Sequence, residues 1–412
     1  MNRVLAAVVL GLLAAFAALG VLMGEDEEPA RPAQREPLEQ VMARVEEVAR
    51  DVERVRELDF DRLPRVRLVS IEQVARETLR ELDHNVPRRR QEIEERLMVM
   101  LGLLPPDVRL RELLGEALTQ EVAGYYVPRT GTLSLVRGAG LDGLLAEVAL
   151  AHELTHALED QRFGLESQEN VFMRDRQVAE VALREGTATV AMVDYVAVSR
   201  GLGEALAGEA RSTALEQIGN VALPESSDLP RYVRESLLFP YVAGARFVDR
   251  IEGQGGWEAV NRAFGEDPPA STEQIIHPRK YGANESPIRV PLRGVRADLP
   301  VGAELLARGD MGEFDTAQFL HDANGRRRSE AAAAGWGGSA FQLWRLRGGG
   351  DVLVVGWAWD TPRDAREFAA AAELSVERLG GAGVVNGGKE GVVTVVLAPS
   401  ASLARRIASA PG

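Results

Sequence analysis

The sequence predicts an α+β chain in two unequal parts, and three observations lead there. Its 412 residues, 45% of them apolar, are enough for two or more packed domains. Apolar residues recur at three- and four-residue steps over most of the first 290 positions, interrupted by one alternating aromatic stretch. From about Pro291 strand and helix patterns interchange over the remaining stretch, which predicts a small α/β unit.

The first element is an unbroken apolar run, Val4–Met23, of about 20 residues, enough to cross a bilayer. Arg3 precedes it and Glu25–Glu28 follow it, so the positive-inside bias puts the remaining chain outside the cytoplasmic membrane. An uncleaved anchor is expected; Ala18 and Gly20 would suit cleavage if the segment is instead a secretory signal. Residues 25–37 read as an acidic linker, 38–290 as the main domain and 291–412 as the small one.

Leu38–Leu58 carries a valine stripe (Val41, Val45, Val48, Val52, Val55) that predicts an amphipathic helix packed on the body. Arg65–Val69 reads as a strand, and Ser70 with Gln73 as a capping box opening a helix over Ile71–Leu82. Helices follow at Arg88–Leu101 and Val108–Leu118. Ala123–Val136 alternates and turns at Pro128–Gly131, which predicts a hairpin whose exposed edge would accept a substrate peptide. Asp142 would cap a helix over Gly143–Phe163, and Gln177–Ser199 would form the next. Further helices are expected at Glu235–Glu252, from Gly255 to about Phe264, and at Thr272–Tyr281 behind a Ser271 cap. In the second part, strands are expected at Phe341–Leu346, Val352–Trp359 and Val392–Leu397, and helices at Thr361–Leu379 and Ser400–Ala408. Gly335–Gly338 reads as a tight glycine turn, and the five tryptophans as core.

Composition narrows the function. A net charge of −14 argues against nucleic acid as a general partner. There is no cysteine, so any metal must be held by histidine, carboxylate and water. The chain has five histidines, and two of them, His152 and His156, flank Glu153 in HELTH. Four-residue spacing on a helix points both imidazoles to one metal ion, and Glu153 is placed to take a proton from a water that the ion activates. A catalytic zinc site needs a third protein ligand. Candidates are His277, His321, Glu180 and Glu185. Glu185 is preferred because a charge inside an otherwise apolar helix needs a cation.

HELTH followed by a glutamate on the next long helix resembles the gluzincin clan of thermolysin-like zinc metallopeptidases. The resemblance implies a zincin-like, helix-rich catalytic domain with a small mixed sheet. It also implies Zn2+ on His152, His156 and Glu185, with Glu153 as general base. Such enzymes often carry an aspartate one turn after the glutamate, oriented on a ligand histidine. Here Thr189 stands at that place, and Thr189, Asp194 or Asp160 would have to fill the role. His277 and Tyr281 would stabilise an oxyanion from a loop over the cleft. The strings AGYYVPRTGTL, HELTHALEDQ, EGTAT, FPYVAGARFV, GGWEAV, STEQIIHPRKY, AAGWGG and AWDTPRDAREF resemble those of an uncharacterised family of membrane-anchored bacterial metallopeptidases. The expected partners are a peptide or protein substrate and the membrane. The alternative is a catalytically inactive zinc-binding scaffold or adaptor of the cell envelope, which the intact Glu153 argues against.

Overall fold

The computed structural model describes residues 37–74, 76–77, 80, 87–117, 124–137, 143–165, 174–202, 204–220, 229–292, 294–380, 382–387 and 391–409. The apolar run Val4–Met23 and Asp142 lie outside the described residues. Among those described, no helix is long and apolar enough to cross a membrane.

The fold is α+β, with a three-stranded and a five-stranded sheet. Helix α1 (Leu38–Arg56) buries its valine stripe, Val41, Val45, Val48, Val52 and Val55, against the helices of the main body. Strand β1 (Arg65–Val69) leads into a helical turn over 71–74. The capping box is reciprocal: Gln73 N donates to Ser70 Oγ (3.3 Å) and Ser70 N to Gln73 Oε1 (2.8 Å). Helices α2 (Arg88–Met100) and α3 (Leu110–Ala117) follow. The hairpin forms from β2 (Gly124–Val127) and β3 (Thr132–Val136), joined by a 3-10 turn over Pro128–Thr130. Gly131 closes it at φ 59°, a conformation that suits glycine. β3 lies centrally, parallel to β1 and antiparallel to β2, so the small sheet is mixed.

The centre of the main body is helical. Helix α4 (Leu144–Phe163) starts from Gly143 without a side-chain cap, and α5 (Asp175–Ser199) packs on it. Helix α6 (Glu204–Asn220) precedes the long α7 (Arg231–Gly265). The backbone of α7 leaves helical geometry at Gly255 and Gly256, so it consists of two helical segments, as the glycine pair suggests. α5 and α7 cross at Gly186 and Gly244. A methyl on Gly186 would overlap the Gly244 carbonyl, and one on Gly244 the Ala182 carbonyl. Only glycine permits so close a backbone approach.

The helix expected over Thr272–Tyr281 is two short ones, α8 (Thr272–Ile276) and α9 (Pro278–Gly282). Pro278 has no N–H and pushes the residue before it out of helical geometry; His277 sits at φ −120°, ψ 79°. Ser271 caps as expected, its Oγ accepting from Gln274 N at 3.2 Å.

After the short α10 (Val295–Asp298), the second part contains β4 (Glu304–Gly309), α11 (Glu313–Asn324), α12 (Arg326–Ala333), β5 (Trp336–Arg345) and β6 (Asp351–Trp359). It ends with α13 (Pro362–Arg378), β7 (Gly383–Gly387), β8 (Val392–Leu397) and α14 (Ala401–Ala408). The sheet order is β4-β5-β6-β8-β7, antiparallel throughout. All five tryptophans are buried; Trp336 donates to Met311 O and Trp357 to Thr316 Oγ1, both at 2.9 Å. Gly335–Gly338 is more than a turn. Gly335 turns at φ 81°, but Trp336 to Gly338 already belong to β5, and Gly338 lies against the Ile288 backbone, where no Cβ fits.

Candidate metal centre

The site is built where α4, α5, β2 and α7 meet. His152 and His156 stand four residues apart on α4, and Glu185 faces them from α5. The Nε2 atoms of the histidines are 3.1 Å apart. Glu185 Oε2 lies 3.3 Å from His152 Nε2 and 3.6 Å from His156 Nε2. Two nitrogens and an oxygen tetrahedral about one zinc would be about 3.3 Å from each other. These three residues therefore form a buried group that can hold a metal ion.

The donor chemistry fits a cation as well. His152 and Glu185 are fully buried, and neither Glu185 oxygen has a hydrogen-bond partner. A buried carboxylate left in that condition requires a positive charge. Burial raises Glu185, but the two histidines outweigh it and hold the carboxyl well below its usual range. Burial likewise works against charge on His156, yet Glu185 reverses the effect and raises it. His152, more deeply enclosed, is lowered by burial. His156 and Glu185 thus each favour the charged form of the other, and a metal ion bound to neutral imidazoles would take over that charge-balancing place.

Glu153 is next to this group and is itself buried. Its Oε2 accepts from the Tyr126 amide at 2.7 Å, while Oε1 has no partner. Burial pushes its carboxyl up to about 7, against the pull of His156 and the Tyr126 N–H. Tyr126 also donates its hydroxyl to Asp160 Oδ2 at 2.7 Å, so one residue of β2 spans Glu153 and Asp160 on the metal helix. All four β2 residues are buried, and the Tyr126 amide is directed at Glu153. The strand edge expected to take up a peptide is, at Tyr126, occupied by the chain's own helix.

His277 and Tyr281 do not join the group. His277 Nε2 is 2.9 Å from Glu313 Oε1 on α11, and Tyr281 donates to Asp267 O at 2.8 Å with its ring edge-on to Phe247. His321, half-buried on α11, lies beside Asp322, and Glu180 pairs with Arg176 at 3.0 Å. Of the groups considered for orienting a ligand histidine, Asp160 accepts from Tyr126 and from Leu165 N, and Asp194 pairs with Arg211. Thr189 is buried with its hydroxyl unpartnered, as is His152 Nδ1.

Two neighbours of the site escape sequence reading. Tyr241, on α7, stacks on His152 with ring centroids 6.1 Å apart and planes at 22°. The only local signal is its place after Pro240 inside a helix. The other is Glu159, one turn beyond His156, whose carboxylate meets the guanidinium of Arg56 from α1 at 3.2 Å with both side chains buried.

The comparisons with known proteins are sparse. A family described as "Domain of unknown function (DUF8575)" matches residues 303–407. No curated protein matches the chain. A solved structure from Chloroflexus aurantiacus, described as "a putative hydrolase with a novel fold", matches at 21% identity and a TM-score of 0.38. That match covers 66% of this chain and 96% of the other.

Proposed function

We propose that this chain is a zinc-dependent peptidase, held to the cell membrane by the N-terminal apolar segment with its catalytic domain on the extracytoplasmic side. The observation that carries this reading is the buried group of His152, His156 and the Glu185 carboxylate, with Glu153 beside it and directed by a backbone amide. A purely structural site has no use for a carboxylate in that last position.

His152, His156 and Glu185 would hold the ion, two from α4 and one from α5. Zinc, when bound, polarises water and the substrate carbonyl. Glu153 takes the proton from the attacking water and returns it to the leaving amine. The Tyr126 amide occupies one oxygen of Glu153 and leaves Oε1 free for that exchange. Burial of all four side chains excludes bulk water and strengthens the charge interactions among them. Sequence charge makes nucleic acid an unsuitable partner, and the resemblance to zinc metallopeptidases makes a peptide or protein the expected substrate.

The test is Glu153→Gln in the purified protein, offered a mixed peptide library. Retained zinc with cleavage reduced by a factor of at least about 1000 is expected. Elemental analysis of Glu185→Ala should show zinc lost. A wild type that binds zinc and cleaves nothing would leave the alternative, an inactive zinc-binding scaffold.

A further inference from the structure

We propose that Tyr241 is a positioning residue of the metal centre: its hydroxyl donates to Glu185 Oε1, so that Glu185 engages the ion through Oε2 alone. This rests on the metal-centre reading above. Glu185 Oε2 is the oxygen close to both imidazoles, at 3.3 and 3.6 Å, and is the one turned to the ion. That leaves Oε1 buried with no hydrogen bond, and the Tyr241 hydroxyl is buried with none either. Unmet buried donors and acceptors are rare, and each calls for a partner. The two side chains stand on adjoining helices, close enough for the Glu185 carboxylate to act on the Tyr241 hydroxyl. Gly186 follows Glu185 directly, and Gly244 lies three residues after Tyr241 on the same face of α7. The crossing at these glycines admits no side chain, so it brings the Tyr241 turn against the Glu185 turn.

Stacking on His152 fixes the phenol ring in the same place. A phenol ordinarily ionises only at about pH 10, so at neutral pH the hydroxyl has a proton to donate. A carboxylate with both oxygens free can bind an ion through either or both. Tying up Oε1 selects one-oxygen ligation and keeps the fourth coordination position open for water.

The experiment uses the full chain, with zinc affinity measured by competition against a chromogenic chelator. Tyr241→Phe keeps the ring and removes only the donor; zinc should bind about 10 to 100 times more weakly. Tyr281→Phe, whose hydroxyl serves Asp267 O, should bind as wild type does. The absorption bands of the cobalt-substituted protein should shift in Tyr241→Phe, which loss of packing alone would not produce. In a Glu185→Gln background, adding Tyr241→Phe should change nothing further. Wild-type affinity and an unchanged cobalt spectrum in Tyr241→Phe would overturn the proposal alone, as would additive losses in the double variant. A wild type that binds no zinc would overturn the metal-centre reading with it.

Discussion

Arg56 lies at the last turn of α1, fully buried, and its guanidinium has three partners at once. It donates to Glu159 on α4 and to Asn261 on α7, and stacks over the Trp257 ring with its central carbon 4.1 Å from the centroid. Burial opposes the charge on Arg56, and Glu159 offsets part of that penalty. Removing one member leaves the other charge buried and unpaired. Arg56→Met should therefore destabilise the protein by about 3–5 kcal/mol in urea unfolding. A loss under about 1 kcal/mol would show that the pair contributes little. The contrast with the metal group shows what single residues disclose. His152, Glu153 and His156 could be read because their relation lies within one helical turn. Glu185 could be read because a charge among alanines and valines is conspicuous. Arg56 with Glu159, and Tyr241 with Glu185, could not. Each pair joins distant segments, and nothing in either local string names its partner. His277 and Tyr281 carried suitable chemistry for the site, but Pro278 breaks the chain there and His277 meets Glu313 instead.

The helices and the hairpin of the main body follow the apolar periodicity closely, because each buries one face against a neighbour. The elements hidden in the sequence lie mostly in the second part. β7 and the start of β5 are rich in glycine, which carries no strand preference. Among the helices, α11 and α12 open from glycines rather than from a side-chain cap. The contact of α5 with α7 was equally hidden, since only the glycines of REGTAT and VAGAR mark it. Gly244→Ala should force the two helices apart, because its methyl would meet the Ala182 carbonyl and not a yielding side chain. The expected cost is about 3 kcal/mol, at the upper end of overpacking. It should appear as a lowered melting temperature together with weaker zinc binding. An unchanged melting temperature would mean that the crossing relaxes freely.

Beside the shared apolar core, a group of polar side chains ties α5 and α8 to the loop before α11. Asp175, the first residue of α5, accepts at one oxygen from both the Thr272 amide (2.8 Å) and hydroxyl (2.6 Å), and its own amide donates to Asp310 at 2.7 Å. Gly312 sits directly against that carboxylate. Beside it, His277 pairs with Glu313. The hydrogen bond to Glu313 raises His277 above its usual value, while burial raises Glu313 and His277 draws it back. A raised histidine stabilises the native state fully below about pH 6.5, its unfolded value, as long as Glu313 remains ionised. The contribution is lost as pH rises through the folded value above that. The difference in unfolding free energy between wild type and His277→Gln should thus shrink on going from pH 6.5 upward. A difference that is constant or grows over that window would contradict the pairing. The anchoring of Asp175 has a mechanical consequence. Asp175 and Glu185 are ten positions apart on one continuous helix, about 15 Å along a stiff rod. One end is tied to Thr272 of α8 and to the loop between β4 and α11, and the other carries Glu185 of the candidate metal group. A displacement of that loop cannot be absorbed within the rod and must be felt at Glu185.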